Sequence, residues 1–170
     1  MKKIILITTI LIAAILSGCC YHMGSISNPQ IKTIAIAPIA NTTIIANGSE
    51  ALKQELHEVF QTDGSIKVVS TESADCILYG RITAITLGSV NMSVAPKGTV
   101  YQTTQFTMTM SFEYTVIIPG RAAPLIATTQ VTGTTQFQSP GDMYMAQQNA
   151  LTQVSYQVAK RVVNNIAEGW

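Results

Sequence analysis

The chain has 170 residues, a formal net charge of +1, and only 11% charged residues. That balance excludes the strongly basic field on which nucleic-acid binding rests, and the length leaves room for one cored domain. Three cysteines in a chain of this size make no disulfide framework.

Lys2 and Lys3 precede an apolar run from Ile4 to Leu16, and Ser17-Gly18 then leads into Cys19. A positive flank, a short apolar segment and a small-residue site together read as an export leader. The run is shorter than the roughly 20 apolar residues a bilayer-spanning helix needs. Leu16-Ser17-Gly18-Cys19 resembles the lipobox of bacterial lipoproteins. The resemblance implies a leader over residues 1–18, cleavage before Cys19, a diacylglyceryl group on its thiol and an acyl chain on its amine. At about 0.8 kcal/mol per buried methylene, several chains make a lasting anchor. The plainer alternative is a secretory leader followed by a chance cysteine. An aspartate after the acylated cysteine favours inner-membrane retention in enterobacterial sorting; Cys20 stands there instead, which implies the outer membrane. Loss of Lys2 and Lys3 takes the formal charge to −1, and no second apolar run of spanning length follows.

Residues 19–31 read as a lipidated start and a tether, with Gly24, Ser25, Ser27, Asn28 and Pro29 giving no periodicity. One domain is expected over 32–170. Lys32 to Ala40 predicts a buried strand carrying Ile34, Ile36 and Ile39, stopped by Pro38 and Asn41. After a loop to Gly48, Ser49 is placed to cap a helix over Glu50–Gln61, with Leu52, Leu56, Val59 and Phe60 on one face. Asp63-Gly64 ends it, and Ile66 to Ser70 predicts a short strand.

Three long strands follow. Cys76 to Leu87 is the first, with Leu78, Ile82 and Ala84 on one side. Tyr101 to Ile118 is the second, in which Phe106, Met108, Met110, Phe112, Tyr114 and Val116 alternate with polar residues. Period-2 alternation predicts one face on a core and one outside it. Leu125 to Phe137 returns, with Leu125, Ala127, Val131 and Phe137 on one face. The hairpin tips fall near Pro96-Lys97-Gly98 and Pro119-Gly120-Arg121. Ser139-Pro140 predicts the cap and first position of a last helix, with Asp142 in its first turn. Ala146, Ala150, Val154, Val158, Val162 and Ile166 step along it by fours to about Ala167. The expectation is an α+β fold in the order β-α-β-β-β-β-α. Two helices pack on one face of a mostly antiparallel or mixed sheet of four to five strands, and the Thr/Gln face of the sheet is left for water or a partner.

Catalytic signatures are absent from the sequence: it contains no G-x-G-x-x-G, Walker loop, H-E-x-x-H, C-x-x-C or Ser-x-x-Lys. His57 lies between Glu55 and Glu58, but neighbours on a helix point different ways and one histidine is a poor start for a metal site. A solvated helix face is the better reading. Asp75 reads as a chain-turning residue, and Cys76, inside Cys76-Ile77-Leu78-Tyr79, as a small buried hydrophobe. No enzymatic activity is expected, and no cofactor beyond the covalent lipid on Cys19.

Taken in order, several stretches resemble the LptE-type lipopolysaccharide-assembly lipoproteins. They are Gly18-Cys19 with Tyr21-His22-Met23-Gly24, Lys32-Thr33-Ile34-Ala35-Ile36-Ala37-Pro38 with Asn41-Thr42, and the Glu50 helix. Ala74-Asp75-Cys76-Ile77-Leu78-Tyr79-Gly80-Arg81-Ile82-Thr83 and a long helix ending on Ile166-Ala167-Glu168-Gly169-Trp170 complete the series. Cys20 replaces the usual glycine, and the Thr-rich strands agree weakly. The resemblance implies a plug in the lumen of an LptD-type outer-membrane β-barrel that assists its assembly and the delivery of lipopolysaccharide. Barrel lumens are polar, and Gln105, Thr107, Thr109, Ser111, Gln130, Thr132, Thr134 and Gln136 supply a neutral hydrogen-bonding exterior. Lipopolysaccharide phosphates need cations; Lys97, Arg121 and Arg81 are the candidates, against the plainer reading of solvated charges that keep turns soluble. A second resemblance, to LpoB-type regulators of a cell-wall synthase, covers the first strand, loop and helix. Such a regulator must cross the periplasm, whereas about a dozen tether residues reach at most 3.3–3.6 Å each.

Overall fold

The computed structural model describes residues 31–94, 101–139 and 142–168. The elements are β1 (Thr33–Ile36), β2 (Ala40–Asn41), α1 (Gly48–Asp63), β3 (Lys67–Val68), β4 (Cys76–Val94), β5 (Tyr101–Ile117), β6 (Ile126–Gln138) and α2 (Met143–Glu168). One mixed sheet runs β3-β1-β4-β5-β6, with β2 also on β4. β1 and β2 pair with β4 in parallel, while β4-β5-β6 is an antiparallel meander. This is the expected α+β architecture, with one addition. Proline has no N–H to give a ladder, and at Pro38 the single strand expected over 32–40 divides into β1 and the two-residue β2.

Both helices lie on one face. Leu52, Leu56 and Phe60 of α1 meet Ile34, Cys76, Leu78 and Ile82 of the sheet. Beneath α2 are Met108, Met110, Phe112, Tyr114 and Val116, all under 2% exposed, as the alternation in β5 requires. α2 buries two rows where one was expected. Ala150, Val154, Val158, Val162 and Ile166 are joined by Leu151, Ser155, Ala159 and Val163, because the helix is wedged between the sheet and α1. Burying each large side chain of this set is worth about 1.5–3 kcal/mol.

Local geometry departs from the simple periodicities at both helix starts and at register shifts in the sheet. Asn47 occupies the N-cap of α1 without a side-chain bond, and the Ser49 hydroxyl turns to Glu50 (2.8 Å), holding that carboxyl below its usual range. At α2 the cap is Asp142, whose Oδ1 accepts from the N–H groups of Tyr144 (2.9 Å) and Met145 (3.3 Å). A carboxylate there meets two orphan donors and the positive helix end. A register shift between Ile82 and Ala84 sets Ala84 opposite Ser111 on the outer face and brings Ile85 opposite the buried Met110; an inserted residue flips every side chain beyond it. A shift between Tyr114 and Val116 likewise places Ile126, not Ala127, opposite Val116, and Ala127 is exposed.

Candidate functional site

The outer face is made by the residues of β5 that alternate with the core. Thr107, Thr109, Ser111 and Glu113 stand opposite Gln136, Thr134, Thr132 and Gln130 of β6. Side chains that share a face 4.5–5.5 Å apart bond across the strands. Gln105 Nε2 donates to Gln136 Oε1 (3.0 Å), the Thr109 and Thr134 hydroxyls meet at 3.3 Å, and the Thr115 hydroxyl donates to the Ile126 carbonyl (3.1 Å). At the β1 end the face turns apolar: Ala35, Ala37 and Ile77 are buried, with Ala74 and Ile117 against them. Neither helix covers the Thr/Gln lattice.

Arg81 and Glu113 are the only charged residues that β4, β5 and β6 place on this face among the described residues. Register sets them opposite, and Arg81 Nη2 lies 3.1 and 3.2 Å from the two carboxylate oxygens. An exposed pair of this kind adds at most about 1 kcal/mol; its larger effect is to leave the face neutral. Tyr79, two positions before Arg81 and 44% exposed, shares with it, Glu113, Thr115 and Thr128 a shallow depression of about 270 Å3. The i, i+2 spacing in β4 could have revealed Tyr79 as a neighbour of Arg81.

Among the described residues, the other sequence-derived candidate cation stands apart from Arg81. Arg121 is exposed in the turn after β5, where Pro119 precedes Gly120 at φ +81° and the Arg121 N–H donates to the Ile118 carbonyl (3.1 Å). Pro then Gly at positive φ is the type II turn pattern. About 13 Å of strand separates Arg81 from Ile77, which pairs with Ile117 at the mouth of that turn. Lys97 and Cys19 lie outside the described residues.

His57 Nδ1 donates to the Lys53 carbonyl (2.9 Å) on its own helix, and among the described residues no three His, Cys, Asp or Glu side chains gather. Asp75 Oδ2 accepts from the N–H groups of Lys32 (3.0 Å) and Thr33 (2.9 Å) and from the Thr33 hydroxyl (2.8 Å). The bond from the Lys32 N–H, then that from the Thr33 hydroxyl, holds its carboxyl below the usual range. Asp75 thereby fastens the entry to β1 to the start of β4. Cys76 is fully buried; loss of hydration first, and the Asp75 charge second, push its thiol up to about 12.

The sequence profile of a family described as "LptE: Lipopolysaccharide-assembly" matches residues 31–167. No protein in the curated set matches. Among solved structures, a Xanthomonas campestris protein of the DUF330 family is similar at 14% identity and TM-score 0.54, over 82% of this chain and 88% of its own. A minor lipoprotein from Acinetobacter baumannii is similar at 9% identity and TM-score 0.50, over 81% and 93%. A point variant of the PelC dodecamer from Paraburkholderia phytofirmans is similar at 14% identity and TM-score 0.50, over 86% and 90%. At these identities the likeness is one of fold.

Proposed function

We propose, because the chain belongs to the LptE family of lipopolysaccharide-assembly proteins, that it acts as a lipid-anchored outer-membrane plug. In this reading residues 1–18 are removed on export, Cys19 carries the lipid, and 19–31 tether a single domain. The domain sits in the lumen of an LptD-type β-barrel, assists its assembly and takes part in passing lipopolysaccharide to the surface. The role is a binding one, with no catalytic step and no cofactor.

The observation that carries this reading, beside the family match, is the Thr/Gln outer face, with its one ion pair closed on itself. Wide barrels have polar, hydrated lumens. A partner with that lining is met by hydroxyls and amides that exchange bonds with water for bonds with protein at little cost, whereas unmatched charges would each need a counterpart.

Affinity purification of the tagged, lipidated protein from detergent-solubilised outer membranes tests it. A large β-barrel in near-equal amount is expected. Recovery of a cell-wall synthase without any barrel would contradict the reading and favour the LpoB-type one.

Lys97 and Arg121 are the cations we assign to the glycolipid phosphates, since Arg81 is already met by Glu113. Lys97→Glu with Arg121→Glu should lower affinity for lipopolysaccharide about tenfold or more, in line with the loss of charge-assisted bonds. Unchanged affinity would remove both residues from this role.

A further inference from the structure

The two ends of the sheet are unlike. One side closes on β3, a strand of two residues, while the other ends on β6, which has thirteen and pairs with β5 alone among the described residues. A long unpaired edge is a template for another strand, and proteins blunt such edges with proline, lysine, inward charges or short length. From Ile126 to Gln138 there is no proline and no charged residue. Nothing in the sequence of β6 discourages pairing, but the Thr132 carbonyl on this edge already accepts from Arg161 Nη1 and must be released for a strand to pair there.

The helix above supplies further detail. Arg161 Nη1 donates to the Thr132 carbonyl (2.6 Å), and Gln153 Oε1 accepts from the Thr135 hydroxyl (3.0 Å). Gln157 lies between them on the same helical row, since residues four apart share a face, and all three are exposed. The edge therefore has a polar shelf of two amides and one guanidinium, with no carboxylate in it. Its outer side continues into Gln130, Thr132, Thr134 and Gln136. A strand added here would meet polar groups on both of its faces.

We propose that the free edge of β6 takes an extended segment of the barrel partner as an additional strand, polar on both faces and carrying a carboxylate near Arg161. The inference rests on the plug reading and deepens it. Backbone bonds supply affinity and the shelf supplies selection, the usual division in strand addition. A second copy of this chain is a poorer occupant. Thr132 is the middle residue of β6, so two edges paired about that point would bring Arg161 against its own copy. Like charges so placed repel.

The test is residue-resolved hydrogen exchange over 126–138, in the free lipoprotein and in its complex with the barrel purified in detergent. In the free chain alternate amides, those turned away from β5, should exchange fast; in the complex they should slow by about 100-fold or more. Arg161→Glu should remove that protection, and Arg161→Lys should keep it. A stable complex in which these amides exchange as fast as in the free chain overturns the inference and leaves the plug reading standing. Protection that grows with concentration in the free chain assigns the edge to a second copy and overturns it too. If no barrel is retained at all, the plug reading falls, and this inference with it.

Discussion

At the scale of single residues, Asp75 shows how a side chain 42 positions away fixes the entry to β1. Its carboxylate satisfies two backbone donors and the Thr33 hydroxyl. Asp75→Ala orphans these groups and should cost roughly 1 kcal/mol, kept small because water reaches the site. The carboxyl lies below its unfolded value near 3.9, so its contribution is present above that pH and is lost as pH falls through the folded value. Urea unfolding at pH 7 and pH 3 checks both points: the wild-type advantage over Asp75→Ala should shrink at pH 3. The Ser155 hydroxyl is fully buried with no hydrogen-bond partner among the described residues. Ser155→Ala removes an unsatisfied group and improves helix propensity. It should raise stability by about 0.5–1 kcal/mol in the same titration, and a loss would show that the hydroxyl has a partner after all. Cys76 was legible as a buried apolar residue from its neighbours. The Asp75 staple was not, because nothing local in Ala74-Asp75 points to Lys32 and Thr33.

Between elements, one glycine sets how closely two layers approach and another makes room for a ring within the sheet. A Cβ on Gly133 would meet Val158 Cγ2 at 2.8 Å and the Val154 carbonyl oxygen at 2.9 Å, so α2 lies directly on β6 there. A Cβ on Gly80 would enter the ring of Phe112 on the neighbouring strand β5. Backbone and a packed helix give way poorly, so Gly133→Val should destabilise by about 1–3 kcal/mol or more through overpacking. A thermal midpoint unchanged from wild type would contradict that contact. β5 was readable residue by residue because its inner face is uniformly apolar. β6 was not: its inner face carries Thr129, Gly133 and Thr135, and the surface that fills the space comes from α2. The faces of Ala84 and Ala127 were misassigned for a related reason. Alternation assumes an unbroken ladder, and the register shifts at β4 and between β5 and β6 depend on the partner strand.

The molecule as a whole has one face occupied by both helices and another left as a neutral hydroxyl-and-amide lattice. The order of strands and helices was legible because length, turn residues and apolar period agreed. Which cations work together was not, since Arg81 and Arg121 belong to different parts of the meander and strand register alone decides that Arg81 faces Glu113. In the proposed function this lattice is the surface that meets the barrel. Thr109→Lys combined with Thr132→Lys places two unmatched charges at its centre while leaving every core residue intact. The measurement is the amount of barrel recovered with the tagged, lipidated variant, alongside its unfolding midpoint in urea. A midpoint close to wild type and at least a tenfold loss of barrel are expected, as buried unpaired charges demand. Full recovery of the barrel by a folded double variant would contradict this reading and move the interface to another face.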